Sequence, residues 1–160
     1  NAYQIATAST RMEGLIFGIA DFSSTMGVRE MIDNQNSNFH YAKQATAVAA
    51  KAAALHVVDN AFLRLIRPDT PPEEAAAIKQ QLREKNEGSR DLGMDGTWVI
   101  HPQQAEIAND VFTPDDEQIE KTKRSLEVYH RLGGGSIADP ETGEFYDEAT
   151  TKGMLMQLAI

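Results

Sequence analysis

Gly14-Leu15-Ile16-Phe17-Gly18-Ile19-Ala20-Asp21-Phe22 is the stretch on which the fold turns. Apolar residues and glycines run without a break up to Asp21. A short continuous apolar run bounded by glycine suits a strand buried on both faces of a parallel sheet, so a strand is expected over 14–20 with Asp21 closing it. A lone carboxylate is costly to bury unless it is paired or holds a metal. Asp21 therefore needs a partner or a ligand.

Two more apolar segments match the first, His56 to Phe62 and Thr97 to Ile100. Between the first two lies an alanine-rich stretch from Phe39 to Leu55, in which Ala45, Val48, Ala49, Ala52 and Leu55 recur at helical spacing. Between the second and third lies Thr70 to Asp91, opening Thr-Pro-Pro-Glu-Glu. Thr70 is the expected N-cap, with Glu73 completing a capping box and prolines in the first turn. The order is strand, helix, strand, helix, strand, and Leu15, Val57 and Val99 are evenly spaced. Such alternation predicts βα units and a parallel sheet, an α/β fold. A helix is expected from Pro102, then a longer one with Thr113 as cap and Pro114 first, ending at Gly133 to Gly135. A polar loop follows, and a last helix begins near Asp147. Three strands cannot close a (β/α)8 barrel, which needs about 250 residues. The start within what reads as a helix ending at Thr10, without an initiator Met, favours part of a larger fold.

The composition narrows the function. The chain has 160 residues and no cysteine, which removes disulfides, zinc–thiolate sites and thiol nucleophiles and suits a reducing compartment. A net charge of −9 argues against a non-specific nucleic-acid binder. No apolar run reaches the roughly 20 residues of a membrane span, and the first residues lack the pattern of a signal peptide. A cytoplasmic enzyme is the expectation.

In parallel α/β proteins the chemistry sits at the carboxyl ends of strands. Asp21 closes the first expected strand, Asp59 lies in the second, and His101 closes the third. Each has a bland role beside the functional one. Asp21 can cap the turn that follows it, Asp59 can pair with Arg64 or Arg67, and His101 can hydrogen-bond a backbone group at a helix start. His40, His56 and His130 show no metal spacing and are read as structural; Lys43 and Lys51 are placed on the solvated face of the alanine-rich helix. The functional role for Asp21 is as a ligand of Mg²⁺, which takes hard oxygen donors. Gly18 lets backbone approach a ligand closely, so the N–H groups around Ala20 and Asp21 can hold a substrate carboxylate.

Phe17 to Gly27, "FGIADFSSTMG", resembles the strand-six motif of the HpcH/HpaI aldolase and citrate lyase beta-subunit superfamily. Val57 to Phe62, "VVDNAF", resembles its strand-seven segment. Leu92 to Pro114, "LGMDGTWVIHPQQAEIANDVFTP", resembles its strand-eight block with the Gly-x-Trp-x-Ile-His-Pro-x-Gln core. The glycine-rich break, loop and final helix resemble the lid of the malyl-CoA lyase and citramalyl-CoA lyase branch. The resemblance implies strands six to eight of a TIM barrel over 1–112, and a helix, glycine-rich hinge and lid over 113–160. It implies a Mg²⁺-dependent (or Mn²⁺-dependent) carbon–carbon lyase that splits a 3-hydroxyacyl-CoA, such as malyl-CoA, β-methylmalyl-CoA or citramalyl-CoA, into an acyl-CoA and glyoxylate or pyruvate. By this resemblance Asp21 is a metal ligand, Gly18, Ala20 and Asp21 bind the oxo acid, and Asp147 is the catalytic acid/base. Phe62, Ile100, His101 and Pro102 lie along the coenzyme A channel. The lid of a homo-oligomer, trimer or hexamer, reaches a neighbouring subunit.

Two departures stand out. Asn60 and Ala61 replace the usual Gly-Pro of strand seven and are expected to alter the channel wall. The half of the family's fold that carries the other metal carboxylate, a glutamate, and the substrate-binding arginine has no counterpart in these residues. Two alternatives remain beside the lyase: a malyl-CoA thioesterase or malate synthase-like activity, and a non-catalytic subunit or scaffold fragment.

Overall fold

The computed structural model describes residues 1–28 and 39–158. Its elements are α1 (Ala2–Ala6), β1 (Gly14–Ile16), α2 (Ile19–Met26), α3 (His40–Ala52), β2 (His56–Asp59), α4 (Pro72–Asp91), β3 (Gly96–Thr97), α5 (Pro102–Phe112), α6 (Asp116–Arg131), β4 (Ile137–Ala138), β5 (Phe145–Tyr146) and α7 (Glu148–Leu158). Two compact units result, 1–112 and 113–160. No helix among the described residues is long and apolar enough to cross a membrane.

In the first unit β1, β2 and β3 form a parallel sheet in that order. Leu15 pairs with Val57, Val58 with Gly96 and Asp59 with Thr97. This is the expected α/β alternation. Glycine suits the start of β1 at position 14, because a Cβ there would sit 3.0 Å from the His56 carbonyl oxygen, a tight contact. One sheet face is covered by helices: Val57 packs with Ala47 and Ala50 of α3 and with Met94, and Leu15 closes the cluster. Alanine allows α3 to lie this close to the strands. A second cluster joins Phe62, Ile78 and Leu82. On the opposite face Ile16 is exposed, as is Trp98 just beyond β3.

The first expected strand is shorter than its apolar run. Phe17 N–H still bonds the Val58 carbonyl, but Gly18 then becomes the N-cap of α2. Ile19, Phe22 and Ser23 follow helical spacing, and Ile19 packs with Phe17 and Phe39 while Phe22 leans on the same cluster. A 3.6-residue period thus takes over where a continuous apolar run suggested two-faced burial. The third strand is likewise confined to Gly96–Thr97, and the opening helix ends at Ala6 rather than Thr10. Thr70 does not cap α4. Pro71 is the N-cap, without a side-chain bond, and the Thr70 hydroxyl instead accepts the Arg67 N–H. For α6 the cap is Asp115, in a capping box with Gln118, rather than Thr113. The last helix matches its expectation, with residues 159–160 outside the described residues.

The largest difference concerns Asp59. It is fully buried and meets neither Arg64 nor Arg67. Its Oδ2 lies 2.9 Å from Lys43 Nζ of α3 and 3.0 Å from Lys85 Nζ of α4, and accepts the Ser89 hydroxyl. Lys43 is therefore buried, not on the solvated face. Burial alone pushes the Asp59 carboxyl up, but the Lys85 and Lys43 ammonium groups and the Ser89 hydroxyl outweigh it and hold the group below its usual value. Burial dominates for Lys85, which is pushed down to about 8 against the pull of Asp59. Lys85 also donates to the Asn60 carbonyl and to the Thr97 hydroxyl.

Because Lys85 titrates near 8 when folded and 10.5 in its ordinary state, the folded protein binds fewer protons than the unfolded chain between those values. Stability must then rise with pH across that window and level off above it, by about 3 kcal/mol at most for this group. Urea unfolding of the wild type and of Lys85→Met from pH 7.5 to 10.5 tests this. The stability difference between the two should change progressively in favour of the wild type; a flat difference would contradict the buried, charged lysine.

Candidate functional site

The three strands are parallel, so the segments after them emerge at one edge of the sheet. The first is the start of α2. Gly18, Ala20 and Asp21 are all exposed there, while Ile19 and Ser23 anchor the helix from beneath. Phe22 N–H bonds the Gly18 carbonyl as the first helical bond. The N–H groups of Ile19, Ala20 and Asp21 therefore belong to the unpaired first turn, which favours an anion. Asp21 sits in that turn. Its Oδ2 would lie 3.6 Å from a Cβ placed on Gly18, so the carboxylate folds back over the N-cap. Asp21 is thus neither buried nor part of the strand, and makes no side-chain cap bond. Its exposure removes the desolvation problem that the apolar run raised.

Oxygen chemistry and exposure suit Asp21 to bind a hard cation. It would supply one carboxylate ligand, and no group of three or more His, Cys, Asp or Glu arranged for a metal occurs among the described residues.

After β2 the chain runs from Asn60 to Pro71 as an irregular loop. An open groove of about 660 Å³ lies along it, lined by the residues from Leu63 to Pro71 with Glu74, Ile78 and His101. A small cleft beside it is lined by Phe62, His101, Gln103 and Gln104 among others. Phe62 and His101 are therefore brought together. Ile100 and Pro102 flank His101 in the chain but line neither space. Asn60 and Ala61 are both buried and line neither space.

His101 carries out the bland role as well. Its Nδ1 accepts the Gln103 N–H at 3.3 Å and its carbonyl accepts the Gln104 N–H at 3.0 Å, which starts α5. Gln104, missed in the sequence reading, ties the two loops together. Its Nε2 donates to the Phe62 carbonyl at 2.9 Å and its Oε1 accepts the Ile100 N–H at 3.0 Å. The signal available was the Pro-Gln-Gln start of a helix directly after a strand.

Asp147 lies in the second unit, at the N-terminus of α7. Its Oδ1 accepts the Thr150 N–H at 2.8 Å, and its own N–H donates to the Thr150 hydroxyl at 2.8 Å. The Thr150 backbone N–H holds its carboxyl below the ordinary range, helped by the Thr150 side chain and opposed by partial burial. At neutral pH the group is an oriented carboxylate.

No family model matches the chain. It is similar to the L-malyl-CoA/beta-methylmalyl-CoA lyase of Cereibacter sphaeroides, with 30% identity over 165 residues covering 93% of this chain and 48% of the relative. The (3S)-malyl-CoA thioesterase of Cereibacter sphaeroides is 33% identical over 133 residues, covering 81% and 40%. The citrate lyase subunit beta of Leuconostoc mesenteroides is 29% identical over 141 residues, covering 86% and 42%. The chain spans about half the length of the curated relatives it matches. Its fold is similar to that of the CitE protein of Mycobacterium tuberculosis, solved with magnesium, acetoacetate and coenzyme A. The TM-score is 0.77 at 20% identity, over 99% of this chain and 55% of the other. A citrate lyase from Burkholderia xenovorans gives the same TM-score over 98% and 47%.

The Asp147 cap makes a measurable prediction. In a ¹³C-detected titration the Asp147 carboxyl should titrate below the ordinary aspartate range, and Thr150→Val should raise its midpoint by removing the hydroxyl while leaving the backbone N–H. An unchanged midpoint in Thr150→Val would show that the side chain plays no part.

Proposed function

Since the chain belongs with the malyl-CoA lyases and citrate lyase beta subunits, we propose that it supplies part of the site of a carbon–carbon lyase acting on a 3-hydroxyacyl-CoA. The observation that carries this reading is the exposed helix start bearing Gly18, Ala20 and Asp21 at the carboxyl edge of the parallel sheet. On this reading β1 to β3 are strands of a larger barrel, and the exposed face with Ile16 and Trp98 meets the remaining strands. The loops after β2 and β3, with the groove beside Phe62 and His101, take the coenzyme A portion. The residues after Thr113 act as a lid in a homo-oligomer.

The N–H groups of Ala20 and Asp21 receive the carboxylate of the 2-oxo acid. Asp21 contributes one oxygen to a divalent cation, Mg²⁺ by preference, with the other protein ligand supplied from outside this chain's described residues. When bound, such an ion supplies positive charge beside the oxo acid's oxygens. In condensation Asp147 takes a proton from the α-carbon of the acyl-CoA; the resulting carbanion attacks the carbonyl carbon of the oxo acid, whose oxygen becomes an alkoxide and takes up a proton from solvent. In cleavage the hydroxyl proton passes to solvent as the oxo acid's carbonyl forms, the bond between these carbons breaks with its electron pair passing to the thioester side, and that carbon takes a proton from Asp147, which must first take one from water. The low pKa of Asp147 keeps it ionised, the form that condensation requires.

A second reading, hydrolysis of the thioester, is favoured by the similarity to a malyl-CoA thioesterase over the same region. Product analysis separates the two: cleavage yields acyl-CoA and an oxo acid, hydrolysis yields malate and free coenzyme A.

Asp21→Asn in the intact protein should lower Mg²⁺-dependent cleavage by roughly two orders of magnitude or more, because the charge stabilisation at stake is several kcal/mol. Mn²⁺ binding followed by electron paramagnetic resonance should weaken in parallel, with the circular dichroism spectrum unchanged. Retained activity and Mn²⁺ affinity would remove Asp21 from the metal site.

Mixing Asp21→Asn and Asp147→Asn subunits should restore activity if the lid serves a neighbouring subunit. Each mixed oligomer then contains some sites with both carboxylates intact. Failure of mixed oligomers to recover would place both groups in one subunit's site.

A further inference from the structure

Asp147 directly follows β5, and how firmly it is held depends on what fixes the β4–β5 hairpin. β4 and β5 pair only through Ile137 with Tyr146 and Ala138 with Phe145. A two-stranded ribbon of this size is not stable alone. Its stability comes from α6, whose Arg124 guanidinium reaches across to it. Nη1 lies 3.0 Å from Asp139 Oδ2, and Nη2 lies 2.6 Å from Glu141 Oε2.

The Asp139 side chain is fully buried, and its second oxygen accepts the N–H groups of Glu141 at 2.8 Å and Thr142 at 3.4 Å. Asp139 therefore closes the turn with one oxygen and takes Arg124 with the other. Along the same helix, the Ser125 hydroxyl meets the Tyr146 hydroxyl at 3.1 Å, and Lys121 pairs with Glu144 at 3.2 Å. Tyr146 is 2% exposed and is the residue before Asp147. Both arms of the hairpin are thus fastened to α6.

The glycines between α6 and the hairpin are fixed too. Gly133 to Gly135 all adopt positive φ, and their N–H groups bond the His130 carbonyl, the Tyr129 carbonyl and the Tyr129 hydroxyl in turn.

We infer that Arg124 is a positioning residue for Asp147, clamping the β4–β5 hairpin to α6 so that the carboxylate is presented in one place. This rests on Asp147 being the proton-transfer group. Arg124 itself touches no substrate. It acts through Asp139, the hairpin and Tyr146. Loss of the clamp leaves a buried carboxylate at Asp139 without its cation and frees the short ribbon. The carboxylate of Asp147 then samples positions displaced from the acyl carbon, and misplacement of about 1 Å can cost on the order of 100-fold in rate.

The test is a double-mutant cycle in the intact protein, with steady-state cleavage of malyl-CoA as readout. Arg124→Ala should lower kcat by about 10- to 100-fold with KM changed by no more than about twofold. Arg124→Lys should recover part of the loss, and Tyr146→Phe, which removes only a hydroxyl, should give a smaller loss of the same kind. In the Asp147→Asn background Arg124→Ala should have no further effect. Lys123→Ala, which breaks a neighbouring exposed pair with Glu120, should leave kcat unchanged. Thermal unfolding of every variant identifies the folded fraction used for each rate. Equal losses from Arg124→Ala in both backgrounds, or an unchanged kcat in folded Arg124→Ala and Tyr146→Phe, would overturn the inference while leaving the role of Asp147 intact. Full activity in Asp147→Asn alone would overturn both.

Discussion

The buried ion cluster around Asp59 is the constraint on which the first unit depends. β2 is the middle strand of the sheet, and its last residue is gripped from two directions, by Lys43 of α3 and Lys85 of α4. Two ammonium groups share one carboxylate in a site that excludes water, an arrangement whose desolvation penalty rivals its Coulomb gain. What the cluster provides is registration. It fixes both helices against the strand and, through Lys85 on the Asn60 carbonyl, sets the first step of the loop that lines the groove. The depressed pKa of Lys85 is the visible sign of the penalty: the site tolerates the second positive charge only weakly.

The alternation of strands and helices was legible because alanine-rich and glycine-bounded segments differ strongly in period. Asp21 as an exposed group at the edge of the sheet was not. A run such as Gly14 to Ala20 contains no polar residue to mark where a period of two gives way to one of 3.6, and the decisive packing of Ile19 and Phe22 on Phe39 is between segments distant in sequence. Lys43 was misplaced for a different reason. Phe39, Lys43, Ala47 and Ala50 form one stripe at helical spacing and all four are buried, so the stripe was present in the sequence. Reading the lysine by its charge rather than by its place in the stripe set it in solvent. Its partner Asp59 is the kind of residue that permits a buried lysine.

Asp147 as the cap of a last helix could be read directly, because Asp-Glu-Ala-Thr is a local signal that needs no tertiary knowledge. The pairing of Arg124 with Asp139 could not. It joins a helix to a turn across a glycine run, and nothing in the charge pattern of α6 distinguishes Arg124 from Lys121 or Lys123. Only the burial of Asp139 does so, and that is a property of the folded hairpin.

The replacement of Gly-Pro by Asn60 and Ala61 has a structural answer in the same cluster. A proline fixes its own φ and so stiffens the chain leaving a strand. Here that stiffness must come from hydrogen bonds. The Asn60 amide donates to the Ala61 carbonyl at 2.8 Å, and the Asn60 carbonyl accepts from Lys85 and from the Thr97 hydroxyl. Phe62 then enters the cluster with Ile78 and Leu82, and its carbonyl is taken by Gln104. Asn60 is thus held by α4 and β3, Ala61 by Asn60, and Phe62 by α5 before the chain reaches the groove. The departure from the family pattern changes how the exit from the strand is braced, while the groove wall itself is drawn from Leu63 onward. Beyond that exit the loop from Leu63 to Pro71 carries its own ties, Arg64 to Gln81 and the Arg67 N–H to the Thr70 hydroxyl.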